Sequence, residues 1–267
     1  MQKKSKKQRH LEENLISMLN GKAKKTAELV FEDKEIQILH DYSNIVSIKR
    51  LGFNDHGPVH MRKSALNAIK MFDLLKKAGV MFNLEKEGIG TCEDSKIAVL
   101  LASLLHDLGM TVSREKHEFT SVLLSVAIID RILNTIYDDL KIKTIVKSLI
   151  IEGILGHMAS QKIHSLEAGL VLIGDGCDME KGRARIPSLI SKKPRVGDIH
   201  KYSASSIEKV KIIKGEKKPI KIEIIMSQSV GFFQIEEVLF TKIASSPVKK
   251  YIELYAGVEN EDMMKYL

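Results

Sequence analysis

At 267 residues, 44% apolar and 28% charged, the chain is long enough for one large domain plus a smaller one, with a sizeable buried core. Its two cysteines, Cys92 and Cys177, form no CxxC pair, which disfavours a zinc knuckle or redox dithiol. With no apolar segment behind the charged N-terminus, they fit a reducing cytoplasm. Lys and Arg outnumber Asp and Glu by 42 to 34, yet aromatics are only 5% and no basic–aromatic interleaving is present, so nucleic acid is disfavoured as a partner.

In chain order, residues 1–10 (MQKKSKKQRH) read as a basic, disordered tail. Leu11 to Leu19 reads as a short helix, and Asp33 to Arg50 carries Ile36, Ile38, Leu39, Tyr42, Ile45 and Val46 at helical spacing, closed by Gly52. Pro58 and Gly79 bracket the next helix as start and stop. Asp94 to Leu108 is apolar on nearly every side and ends at Gly109, which predicts a helix buried within the domain. The apolar stretch from Ile97 to Leu105 falls well short of the roughly 20 residues that a membrane span needs, so no membrane is expected. Further helices are expected over Ser113–Leu133, Lys141–Ala159 and Ser165–Glu180, with Ser113 and Ser165 as N-caps.

Beyond a linker at 188–202 the period changes. Lys209 to Ile212 and Ile220 to Ile224 alternate in steps of two around GEKKP, a hairpin signal. Phe232 to Ala244 reads as helix, and Val248 to Ala256 as helix or strand. The expected fold class is mainly α: an all-helical core over 11–187, then a small α+β domain over 203–267.

A His followed at once by an Asp at the end of an apolar helix, as in LLASLLHDLG, is costly to bury. An unpaired carboxylate in such a place is penalised by at least several kcal/mol unless a cation side chain or a metal ion offsets it. By itself the dipeptide reads equally as a satisfied core histidine with a helix-end acceptor. Context adds to it: His60 sits in the first turn of the preceding helix, where imidazolium is disfavoured, and Asp175 lies on the apolar stripe of Ala168, Val171 and Leu172. Three helices therefore offer buried ligand-type groups that one divalent cation would satisfy together.

These residues resemble the HD-domain superfamily of metal-dependent phosphohydrolases, whose pattern is H…HD…D across an all-helical core. His60 in VHMRKSALNAI is similar to the first family histidine, His106-Asp107 in LLHDLG to the eponymous pair, and Asp175 in LIGDGCDMEKGRAR to the closing Asp, over about residues 35–187. The resemblance implies metal ligands His60, His106, Asp107 and Asp175. It also implies a second ion held through His117 and His157, with Asp107 bridging; His164 is the weaker third candidate. It further implies hydrolysis of a phosphomonoester or phosphodiester, of a nucleotide among phosphorylated small molecules, with Mn, Mg, Fe, Co, Ni or Zn all admissible.

His56, in the polar loop NDHG, reads as a structural loop residue or a contact to substrate or water. Glu118 reads as a general acid or a surface helix charge. These two join Asp107 as the candidate catalytic groups. Lys181, Arg183 and Arg185 are candidate phosphate receivers, because guanidinium groups bind phosphate oxygens in pairs, or else a solvated basic helix end. No GYP motif follows Asp175, which disfavours the cyclic-di-GMP subclass. The rival class is a metal-containing ligand-binding or assembly module, forming a homo-oligomer through the C-terminal domain.

Overall fold

A computed structural model describes residues 4–182 and 199–267. Arg183, Arg185 and most of the expected linker lie outside the described residues.

The first described element is a helix. Ser5 accepts a hydrogen bond from the Gln8 amide and opens α1 (Lys6–Ser17), with Gln8, Leu11 and Leu15 facing inward. The expectation of a disordered tail is thereby corrected for residues 4–10. Lys, Gln and Arg are good helix formers, and a capping serine lets the stripe that begins at Leu11 propagate backwards into them. Lys4 bonds Glu12 at 2.9 Å and the Phe31 carbonyl at 2.8 Å.

Helix α2 (Gly21–Glu32) follows, unexpected from the sequence reading, and buries Ala23, Ala27, Val30 and Phe31. Asp33 caps α3 (Lys34–Ile45), which loosens into a π-helical turn over Val46–Arg50. Helix α4 (Pro58–Lys77) begins at Pro58, whose missing N–H costs nothing in a first turn. After the short α5 (Asn83–Lys86), Thr91 and Asp94 form a capping box at the head of α6 (Cys92–Leu105), whose residues from Ile97 to Leu105 are all buried. Helix α6 gives way to a 3₁₀ turn, Leu108–Thr111, before α7 (His117–Ile136), α8 (Leu140–Gly156) and α9 (Leu166–Gly176).

Ser165 caps α9 by accepting from the Ala168 amide. Ser113 does not cap α7: its hydroxyl donates to the Glu115 carbonyl, and the helix starts four residues later, after Lys116 at φ 52°.

Helix α10 (Ile199–Ser206) occupies the end of the expected linker and leads into β1 (Ile207–Lys214). Strand β1 pairs antiparallel with β2 (Ile220–Met226) as the alternation predicts. Gly231–Gln234 (α11), a π-helical stretch Ile235–Phe240 and Thr241–Ser245 (α12) then cross back. A 3₁₀ turn, Pro247–Tyr251, delivers β3 (Ile252–Val258), parallel to β2 with Ile222 opposite Leu254. The two-residue β4 (Met264–Lys265) closes a mixed sheet of order β1-β2-β3-β4. The fold is therefore mainly α with a small α+β C-terminal part. One continuous apolar cluster runs from Leu11 and Ile69 through Leu101 to Ile207, Ile222 and Leu254, so the sheet shares the core of the helices.

By length and mean hydropathy (1.5) α7 would pass for a membrane span. Its Ile128, Ile129, Ile132, Leu133 and Ile136 are packed inward, and its first residue, His117, is buried. This is the placement of a core helix.

Arg62 of α4 is fully buried and ties three helices together. Its guanidinium bonds Glu12 of α1 at 2.6–2.7 Å, Gln37 of α3 at 2.7 Å and the Pro58 carbonyl at 3.0 Å. It also donates to Nδ1 of His40 at 3.3 Å, whose Nε2 bonds the Leu104 carbonyl at 2.8 Å. Burial, with Arg62 beside it, lowers the His40 imidazole to about 3, so His40 is neutral and bridges Arg62 to the last turn of α6. Arg62→Ala leaves Glu12 its Lys4 partner but empties a fully buried side-chain site, and large-to-small changes of this kind cost about 2–5 kcal/mol. The variant should lose that much unfolding free energy, read as a lower denaturant midpoint at unchanged slope; a loss below about 1 kcal/mol would show that this bridge supports little.

Candidate metal centre

Two histidine–carboxylate clusters share one aspartate. Helix α6 stops at Leu105, and Asp107 adopts φ −104°, ψ 12°, a sparsely populated conformation common at functional sites. Neighbouring side chains on a regular helix diverge. Here the kink lets His106 and Asp107 converge, with His106 Nε2 3.3 Å from Asp107 Oδ2.

His60, from the first turn of α4, places Nε2 3.2 Å from His106 Nε2 and 3.1 Å from Asp107 Oδ2. Asp175, in the last turn of α9, brings Oδ1 to 3.1 Å from His60 Nε2 and 3.6 Å from His106 Nε2. On the other side of Asp107, Oδ1 lies 3.1 Å from His117 Nε2 and 3.3 Å from His157 Nε2, and these two nitrogens are 3.0 Å apart. His60, His106, Asp107, His117 and His157 are all buried.

The second nitrogen of each ring fixes what the first can offer. Nδ1 of His106 faces the Ser103 carbonyl at 2.9 Å and Nδ1 of His157 the Ile154 carbonyl at 2.6 Å. Nδ1 of His117 faces the Arg114 carbonyl at 2.9 Å, closer than the Arg114 guanidinium at 3.3 Å. A carbonyl can only accept, so each Nδ1 carries a proton and each ring presents a lone pair at Nε2 whenever it is neutral. His60 Nδ1 meets Asp178 Oδ2 at 2.7 Å, the carboxylate–histidine arrangement that orients a ligating ring and raises its basicity.

Lone pairs facing one another at 3.0–3.2 Å repel unless a cation lies among them. Ligand atoms about 2.0–2.2 Å from a shared ion stand about 3.0–3.5 Å apart. The separations within both triads, His60–His106–Asp107 and Asp107–His117–His157, run from 3.0 to 3.3 Å. The donors therefore fit a metal ion on each side of Asp107, and the chemistry of the set does not select which metal.

The electrostatics agree. Burial alone would lower the His106 imidazole, but Asp107 and Asp175 push it up to about 9, which reports a strongly negative site. Burial would raise both carboxyls; His106 and its neighbours hold Asp107, and Lys242 holds Asp175, well below the usual carboxylate range. Burial lowers His157 to about 4, leaving it neutral as a ligand must be.

The remaining sequence candidates fall out differently. His56 is buried, bonded through Nδ1 to the Asn54 carbonyl at 2.7 Å and Ser47 Oγ at 2.9 Å, with its ring 5.6 Å from that of His60. Glu118 is no surface charge: it is buried, accepts from Ser160 at 2.9 Å and lies 3.9 Å from His117. Although burial opposes it, its backbone amide, Ser160 and His117 keep its carboxyl below the usual value, so it is ionised at neutral pH, a state that suits a base better than an acid. Lys181 turns outward to Glu208 of β1, and Arg183 and Arg185 lie outside the described residues. His164 is exposed and paired with Glu152 at 3.2 Å. Cys177 is buried and its thiol is pushed up to about 12, and Cys92 is half-buried; both are idle thiols.

Sequence reasoning missed Lys242. This buried lysine of α12 bonds Asp175 Oδ2, and the His157 carbonyl at 2.8 Å. A lysine inside the apolar run VLFTKIA was the available signal. Gly109, read from the sequence only as the end of a helix, also has a packing role: a Cβ there would lie 2.1 Å from the His117 carbonyl and 2.6 Å from the Ser121 amide. Its own N–H donates to Ser121 Oγ at 2.8 Å, so the bare backbone is what lets α7 bring His117 onto Asp107.

Compared with known proteins, the chain is 40% identical over 246 residues to the uncharacterized protein MJ1020 of Methanocaldococcus jannaschii, covering 92% of this chain and 93% of that one. No family model and no solved structure matches it.

Two outcomes are expected. Gly109→Ala forces backbone apart and should cost about 2–3 kcal/mol together with metal binding; normal metal uptake would show that α7 is placed by other contacts. Second, His106 holds a proton below about 9 that a metal must displace. In metal-free protein this raised value contributes stability that is complete below the unfolded value near 6.5 and disappears as pH rises through about 9. Metal affinity should accordingly climb with pH up to about 9, with proton release measurable by calorimetry in buffers of different ionisation heat. Uptake without proton release would place the ion elsewhere.

Proposed function

The chain belongs to one family with the Methanocaldococcus jannaschii protein, and we propose that it is a divalent-metal-dependent phosphohydrolase of the HD-domain type, acting on a phosphate ester of a nucleotide. The observation that carries this reading is the single aspartate, Asp107, whose two carboxylate oxygens each complete a triad with two histidine nitrogens. Ions bound there would supply Lewis-acid charge to phosphoryl oxygens and a hydroxide-like nucleophile at neutral pH.

The chain's own groups divide the remaining work. His60, His106, His117 and His157 give neutral nitrogen donors whose rings are held by Asp178 and by backbone carbonyls. Asp175 adds a carboxylate to the first triad. To Glu118, ionised and beside His117, we assign the acceptance of a proton from an attacking water. To His56, its ring 5.6 Å from that of His60, we assign a contact with substrate. Phosphate receivers are assigned to Arg183 and Arg185, which follow Asp178 in sequence, since Lys181 is engaged by Glu208.

The deciding experiment is phosphate release by metal-stripped protein refilled with Mn, Mg, Fe, Co, Ni or Zn. The panel comprises nucleoside mono-, di- and triphosphates, a cyclic nucleotide and a generic phosphodiester. Metal-dependent turnover is expected, reduced at least about 10³-fold in Asp107→Asn, because losing a bridging ligand removes both ions' shared support. Tight metal binding with no turnover on any substrate would favour a binding or assembly module that keeps its metal for structure.

A further inference from the structure

Lys242 comes from α12, outside the helical core that supplies every other group of the centre, and it is about as buried as the carboxylate it meets. Its stem crosses α9 where Gly176 leaves room: a Cβ there would lie 3.1 Å from Lys242 Cδ and 3.1 Å from Leu239 Cδ1. The ammonium then reaches Asp175 Oδ2 and the His157 carbonyl. It thus touches one ligand from each side of Asp107: the carboxylate of the first set and the backbone of the second. Asp175 Oδ1 is the oxygen that faces His60 and His106.

A buried carboxylate must be matched by a cation, and at Asp175 the chain provides its own. We propose that Lys242 is the resident counter-charge of the metal centre: it neutralises Asp175 when no metal is bound, and by remaining beside the filled site it tempers how tightly a divalent ion is held. This rests on the metal-centre reading above and adds a setting of its affinity by the C-terminal part of the chain. The physical consequence is a division by state. A side chain that merely packs supports the metal-free and metal-loaded protein alike, whereas a counter-charge is needed chiefly when the ion is absent.

Full-length Lys242→Met and Lys242→Gln separate the two roles, with unfolding midpoints and calorimetric titration measured for Mn(II), Ni(II) and Zn(II) alone. Both variants should lose midpoint mainly in the metal-free state, so that added metal raises it more than in the wild-type protein. They should also bind the ion about tenfold tighter or more, since a like charge next to the site has been removed. An equal loss of midpoint with and without metal, weaker metal binding, or variants that fold in neither condition would overturn the proposal and make Lys242 a packing or orienting contact. Failure of the wild-type protein to respond to any of the three metals would instead sink the metal centre itself, whatever the variants do.

Discussion

The constraint on which the rest of this structure depends is the burial of two ionised carboxylates, Asp107 and Asp175, at the ends of helices whose later turns are apolar. Transferring such a group from water costs several kcal/mol even after relaxation, and the surroundings of Asp107 contain no lysine or arginine that contacts it among the described residues. Its partners are imidazole nitrogens, and three of the four rings have Nδ1 committed to a backbone carbonyl. Neutral rings so fixed bring lone pairs to a carboxylate and make the deficit of positive charge worse. A site built this way is consistent only with added cations, as protons on a ring such as His106 or as metal ions.

Support for this unfavourable arrangement comes from both ends of the chain. From the N-terminal side, Glu12 holds Arg62, Arg62 holds His40, and His40 bonds the Leu104 carbonyl two residues before His106. From the C-terminal side, Lys242 holds Asp175 and the carbonyl of His157. Strain sits close by: Lys116 and Ala159, at φ 52° and 58°, flank His117 and follow His157, and left-handed backbone at a non-glycine residue costs on the order of 1–2 kcal/mol. The apolar cluster that spans helices and sheet is what offsets these local costs.

What the sequence made legible follows from how far each signal reaches. Helices α4, α6, α8 and α9 and the β1–β2 hairpin were readable because periodicity and capping act within a few residues, as with Pro58 and Ser165. His60, His106, Asp107 and Asp175 stood out because polar ligand-type groups on apolar stripes are conspicuous. The start of α1 and the whole of α2 were hidden by charge-rich composition, although both bury an apolar face against the core. Ser113 looked like a cap, but the close packing of Gly109 on α7 moved the helix start to His117. Asp178 and Lys242 could not be paired from sequence, since their partners lie 118 and 67 residues away and only tertiary packing brings them together.

The adjacency of His106 and Asp107 has a further meaning once the kink between them is considered. Two consecutive residues can serve one triad only if the helix ends there, and ending it frees Asp107 to turn its two oxygens toward different partners: Oδ2 to His60 and His106, Oδ1 to His117 and His157. A glutamate would carry the bridging carboxylate one bond further from a backbone that Gly109 pins against α7. Sharing one carboxylate couples the two halves, because whatever charge occupies one side withdraws electron density from the oxygen offered to the other. The halves therefore cannot be tuned independently through Asp107, and any independent adjustment must come through a ligand that belongs to one side alone. Asp175 is the carboxylate that meets this condition, and Lys242, which bonds it, also reaches the backbone carbonyl of His157 on the other side.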